Sequence, residues 1–163
     1  MTTPPDPNRF YTPAGISRTY VASRSQRWET SSDSGWIYLP DTEVNPSVGG
    51  STSPSYGAIF IATFSAEALS SASNNNNVLC LDIEFDGESG YPRDVDGNYR
   101  FASASASGEW ASHTTIRHYR VEPRMNADTV PIKVKVRNGR NASTNNGRLG
   151  LQNWTLRVDR YNL

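Results

Sequence analysis

The strongest constraint on the fold is an every-other-residue apolar pattern that recurs along the chain. Leu81, Ile83 and Phe85 alternate with Asp82, Glu84 and Asp86, and Ile132, Val134 and Val136 alternate with Lys133, Lys135 and Arg137. Side chains point to opposite faces of a strand in turn, so each run reads as a strand with one apolar and one charged face. One outer face is acidic and the other basic. Were the two strands neighbours, each cross-strand ion pair would contribute about a few tenths of a kcal/mol and help set the register.

Other segments repeat the signal. Trp154, Leu156 and Val158 form an apolar face opposite Thr155, Arg157 and Asp159, and Trp36 and Tyr38 alternate before Pro40. Tyr119 and Val121 mark another strand, and Tyr20 and Val21 a short early one. Residues 58–64 (AIFIATF) are apolar at both parities, as in a central strand covered on both sides. The following FSAEALSSA shows at most one or two helical turns, and its serines favour a loop. Loops rich in Gly, Asn, Ser and Pro separate these runs, and no dozen-residue segment has helical periodicity. The expected fold is an all-β antiparallel sandwich comprising residues 16–163. Residues 1–15 carry Pro4, Pro5, Pro7 and Pro13, and proline has no N–H to give a ladder, so they read as an extended arm. Arg9, Phe10 and Tyr11 within that arm are candidate partner-binding residues.

Composition narrows the function. Sixteen basic residues balance sixteen acidic ones in 163, so no net field draws the chain to nucleic acid or to an anionic membrane. Fourteen of the sixteen cations are Arg, which suits protein contacts through its planar fork; a GC-rich genome yields the same bias. The single cysteine, Cys80, leaves no internal disulfide framework and reads as a small buried hydrophobe. The N-terminus lacks the basic and apolar regions of a signal peptide, and no apolar run approaches the roughly 20 residues of a membrane span. The expectation is synthesis in a host cytoplasm.

Candidate chemistry is sparse. Asp94, Asp96 and Asn98 form a D-x-D-x-N series of oxygen ligands of the kind calcium takes, but Tyr99 stands where the EF-hand loop needs Gly. The competing, favoured reading is a type I′ turn at Asp96–Gly97. Asp82, Glu84 and Asp86 share a strand face and so suggest paired-carboxylate hydrolysis, yet a solvated face has the same spacing. His113 and His118 lie five residues apart, on opposite faces of a strand, with no G-x-S-x-G elbow. No enzyme activity, cofactor or metal is expected. Trp28 and Trp110 sit beside loop residues, as either a contact surface or loop anchors. The sequons at Asn141 and Asn153 are read as coincidence.

The order GWIYLPDTEV, IFIATFSAEALSS, VLCLDIEFDGE, HTTIRHYRVEP, VPIKVKVRNG and GRLGLQNWTLRVDRY resembles the TNF-like jelly-roll domains of tailed-bacteriophage virion proteins. That group includes capsid decoration proteins, minor structural proteins and fibre or tail-tip heads. The resemblance covers roughly residues 30 to 163. It implies a jelly roll located in the virion, often a homotrimer, working through its surface. The partners it implies are other virion proteins, foremost the major capsid protein. The leading expectation is a capsid decoration or minor capsid protein. The alternative is a receptor- or carbohydrate-binding head holding a surface glycan.

Overall fold

The computed structural model describes residues 16–30, 35–48, 57–71, 78–103, 108–122, 129–139 and 148–162. The proline-rich arm with Arg9, Phe10 and Tyr11, and the Asn141 sequon, lie outside the described residues.

Ten strands follow one another among the described residues: β1 (Arg18–Arg24), β2 (Trp28–Thr30), β3 (Ile37–Tyr38), β4 (Ala58–Ser71), β5 (Val78–Phe85), β6 (Glu88–Ser89), β7 (Arg100–Ser103), β8 (Ala111–Val121), β9 (Ile132–Asn138) and β10 (Arg148–Asn162). They form two antiparallel sheets. Sheet A runs β1-β10-β4-β8, with β2 also on β10; sheet B runs β3-β9-β5-β6, with β7 also on β5. The first and last strands pair, and consecutive strands cross repeatedly from one sheet to the other. This order, β1-β10-β4-β8 facing β3-β9-β5-β7, is that of a jelly-roll β-sandwich.

The alternation read in the sequence sets the inner faces. Sheet B contributes Leu79, Leu81, Ile83, Phe85, Ile132, Val134 and Val136 to the core; sheet A contributes Phe60, Phe64, Leu149, Leu151, Trp154, Leu156 and Val158. Ring contacts bind the layers: Phe85 of β5 stacks on Tyr119 of β8 at 5.3 Å, and Phe64 of β4 meets Phe101 of β7 at 5.8 Å. Before the β10 bulge, large β10 side chains meet small ones of β4, with Leu151 beside Ala68 and Leu149 beside Ser70. This complementarity lets β4 continue as strand through Ser71.

Three expectations need correction here. Residues 64–71 of FSAEALSSA are neither loop nor helical turn but the second half of β4, held by ladders to β10 and β8. The AIFIATF run is interior to its sheet but not covered on both faces. Phe60 and Ala62 are fully buried, whereas Ile59 and Ile61 on the outer face are only half-buried. The type I′ geometry expected at Asp96–Gly97 is not formed there. Asp86 (φ 49°) and Gly87 (φ 87°) supply the two left-handed residues of a tight hairpin joining β5 to β6. Only Gly97, at φ 65°, is left-handed in the Asp96–Gly97 pair, and its N–H closes a turn on the Asp94 carbonyl at 3.1 Å.

Candidate interaction surfaces

The outer face of sheet B holds the charged residues that the alternation placed there. Strands β5 and β9 are neighbours, with Asp82 opposite Lys135 and Glu84 opposite Lys133. The expected solvated carboxylate face is not observed, however. Asp82 is 1% exposed and Glu84 is also buried: Tyr38 from β3, opposite Lys135 in the ladder, reaches Glu84, and Ser89 of β6 and Lys135 cover Asp82. Asp86 is no part of the array; it sits in the exposed hairpin turn.

The geometry is that of a closed ionic network. Lys135 Nζ donates to Glu84 Oε2 at 2.8 Å and lies 3.5 Å from Asp82 Oδ2. The Tyr38 hydroxyl donates to Glu84 Oε1 at 2.9 Å, and the Ser89 hydroxyl to Asp82 Oδ2 at 2.6 Å. Cations stack on the neighbouring rings: Lys133 over Tyr38 at 5.2 Å, and Arg137 over Trp36 at 4.7 Å. Trp36 in turn meets Tyr99 edge-on at 6.4 Å. The two carboxyls shift in opposite directions. Burial raises Asp82 above the usual carboxylate range, against the pull of Ser89 and Lys135. Burial acts on Glu84 too, but the Lys135 and Tyr38 donors outweigh it and hold Glu84 below its ordinary value. Burial would lower Lys135, yet its two carboxylates win and raise it. Two carboxyls with opposite shifts are the raw material of acid–base catalysis. Here three donors fill Glu84 and Asp82 Oδ2, and Asp82 Oδ1 is buried with no hydrogen-bond partner among the described residues.

A pH prediction follows. A carboxyl with a raised native pKa binds its proton more tightly folded than unfolded, so stability falls as pH rises through that window. Asp82→Asn removes the penalty and keeps an acceptor for Ser89. Urea midpoints of Asp82→Asn and wild type should converge near pH 4, with the variant higher at pH 8. A variant less stable than wild type at pH 8 would contradict this.

The calcium candidates are spread along a turn. Asp94 Oδ1 accepts the Asp96 N–H and Oδ2 the Tyr99 N–H, each at 2.8 Å. These backbone donors hold the Asp94 carboxyl below its usual range. Its oxygens thus cap the turn, as an Asx turn does. Among the described residues no group of three or more His, Cys, Asp or Glu is placed to hold a metal ion.

The two tryptophans lie on or beside β10. Trp28 pairs with Leu151 across the β2–β10 ladder and packs against the core. Trp110 rests on the β10 backbone: a Cβ added at Gly150 would sit 2.7 Å from its Cη2. The Arg27 guanidinium lies over the Trp110 ring at 4.7 Å, and Arg27 Nε donates to Gln152 at 3.0 Å. Both rings are half-buried. The histidines fall on opposite faces, with His113 against Phe101 at 5.4 Å and His118 against Tyr91 at 6.1 Å.

A surface absent from the expectations is the outer face of sheet A. Register puts Val21, Arg157, Thr63 and Ile116 in one row across β1, β10, β4 and β8. Ser23, Thr155, Ser65 and Thr114 form the next row on one side, and Thr19, Asp159, Ile61 and His118 the next on the other. Val21 is 59% exposed and Ile116 55%. Arg157 and Arg120 are paired within this face, and Glu67 on it accepts from the Gln152 and Asn153 amides. Arg157 Nε donates to Asp159 Oδ1 at 3.0 Å, the Thr19 hydroxyl donates to the same oxygen at 2.7 Å, and Arg120 holds Glu122 at 2.9 Å. β-Branched and hydroxyl side chains dominate the rest.

No protein-family model matches the chain, and no curated protein sequence does. Among solved structures it is similar to a chain of the infectious bursal disease virus Gx strain, at TM-score 0.49 and 11% identity over 98% of this chain and 37% of that chain. It therefore spans well under half the length of that viral chain. It is also similar to the EclA C-terminal domain, a sugar-binding protein, at TM-score 0.35 and 13% identity over 91% of this chain and 89% of that one. A third likeness is the CBM36-1 domain of a multidomain xylanase from the hindgut metagenome of Trinervitermes trinervoides, at TM-score 0.30 and 9% identity over 86% and 96% of the two chains. The jelly-roll assignment stands on the strand order of the chain itself.

Proposed function

We propose that this chain is a non-enzymatic virion structural protein, a capsid decoration or minor capsid protein that works by contact with other protein chains. The observation that carries the reading is the outer face of sheet A. It is a broad face with Val21 and Ile116 more than half exposed, flanked by small hydroxyl side chains and internally paired charges. Burying such a face against protein removes apolar surface from water at little cost in unpaired charge. The carboxylate pair Asp82 and Glu84 supports the non-enzymatic part, because it is buried, with both Glu84 oxygens and Asp82 Oδ2 engaged by Lys135, Tyr38 and Ser89. In this reading the arm residues Arg9, Phe10 and Tyr11 grip the major capsid protein. The test is sedimentation of the purified chain with shells assembled from that protein. Saturable co-sedimentation supports the reading, and its absence contradicts it.

The second reading, a receptor- or carbohydrate-binding head, draws on Trp110 and its ring of polar neighbours. Gln152 and Asn153 both donate to Glu67, at 2.6 and 2.9 Å, and Arg148 donates to both Glu29 oxygens at 2.7 Å. Arg27 lies over the indole that a sugar ring would stack on. A glycan that binds there must displace it, so this reading ranks below assembly.

A further inference from the structure

We infer that the occupant of the outer face of sheet A is a second copy of this chain, docked face to face; this rests on the assembly reading above and names the partner of that surface. Three properties favour a copy of the chain over an unlike protein. The first is size. Four strands about 4.8 Å apart, over some eleven residues at about 3.3 Å each, give a face of about 700 Å². A specific interface needs about 800 Å² per partner, so the face alone comes close to a standard contact.

The second property is charge. A face that meets its own copy must not carry a surplus of one sign, since like charges brought together are repelled. Here Arg157 is neutralised by Asp159, and Arg120 by Glu122, within the same face, and Glu67 at one end of it is held by the Gln152 and Asn153 amides. The third is relief. Two twisted sheets pack aligned at about 10 Å only if the side chains between them are short or can interleave. The row Ser23, Thr155, Ser65 and Thr114 is short throughout. Val21 and Ile116 stand proud at opposite edges of the next row, on the edge strands β1 and β8. A two-fold axis lying between the two faces and parallel to the strands sets β1 of one copy across β8 of the other and β10 across β4, the self-complementary arrangement of an isologous contact. The product is a dimer, where the family resemblance implies a homotrimer, and mass tells them apart.

The experiment is light scattering coupled to size-exclusion chromatography on the full chain, from about 1 to 100 µM, beside Ile116→Glu and Val21→Glu. Both sites are exposed, so the variants keep the fold, checked by circular dichroism and melting midpoint. The proposal expects a dimer mass for wild type and a monomer for each variant over the same range, a loss of at least about 100-fold in self-affinity. A monomeric or trimeric wild type overturns it, as does a dimer that survives both substitutions. Shell co-sedimentation of the same proteins separates this failure from that of the assembly reading. A monomeric chain that binds shells, and loses binding on Ile116→Glu, keeps the surface and replaces its occupant with the shell protein. A chain that neither dimerises nor binds shells removes both.

Discussion

Lys135→Met should destabilise the protein by about 3–5 kcal/mol, because it strands two buried carboxyls without their shared cation. Lys135 Nζ lies 2.8 Å from Glu84 and 3.5 Å from Asp82, its own side chain only 19% exposed. The lost attraction is not the main cost. Without the ammonium, Glu84 must remain charged in a site walled by Tyr38 and the β5–β9 backbone or take up a proton at neutral pH, and Asp82 faces the same choice. For a domain of this size the midpoint of thermal unfolding should drop by about 6–20 °C. Neutralising the carboxyls identifies the cause: Lys135→Met combined with Asp82→Asn and Glu84→Gln should recover most of the loss. A single variant within about 1 kcal/mol of wild type in urea would mean that the network is hydrated.

Trp154→Ala has an effect of similar size from a different origin. The indole is 1% exposed on the inner face of β10, in line with Leu156 and Val158, with the Arg24 guanidinium 5.4 Å from its ring. Truncation removes the largest fully buried side chain and leaves a cavity between rigid sheets, for about 3–5 kcal/mol. Its indole N–H has no acceptor among the described residues. Trp154→Phe, which keeps most of the bulk and drops that donor, should therefore cost less than half as much. Equal losses for Ala and Phe would show that the indole nitrogen, not the volume, matters.

Much of the fold can be read from the chain because alternation and charge agree. Strands β5 and β9 announce themselves through Leu81, Ile83 and Phe85 and through Ile132, Val134 and Val136, and their opposite outer charges do lie across from each other. Alternation does not reveal depth. Asp82 and Glu84 look like surface residues until Tyr38, from a two-residue strand far away in sequence, and Trp36 just before that strand pack beside Lys135 on that face. The second half of β4 is hidden for another reason. Ala66, Ala68 and Ser70 have weak strand preference, and their place is set by Leu149, Leu151 and Trp154 across the ladder and below.

The phase of β10 also turns on one residue. Leu149 and Leu151 point inward before a bulge at Asn153 (φ 51°), and Trp154, Leu156 and Val158 after it, so a single left-handed residue swaps the parity. Asparagine tolerates that conformation better than most residues. The sheet A face was legible in part. Tyr20 and Val21 are adjacent, so on one strand they must face opposite ways, and Ile116 has the parity opposite to Tyr119 and Val121. Both signs place an apolar side chain on the face away from the core. Size and charge pairing of that face emerge only once β1, β10, β4 and β8 lie side by side.

The most direct test of the assembly account is the copy number of this chain in purified particles, measured by quantitative mass spectrometry against the major shell protein. A shell-coating protein should be present in hundreds of copies, in fixed ratio to the shell subunit. A handful of copies would move the chain to a tail tip or fibre head, and particles that lack it altogether would contradict the account.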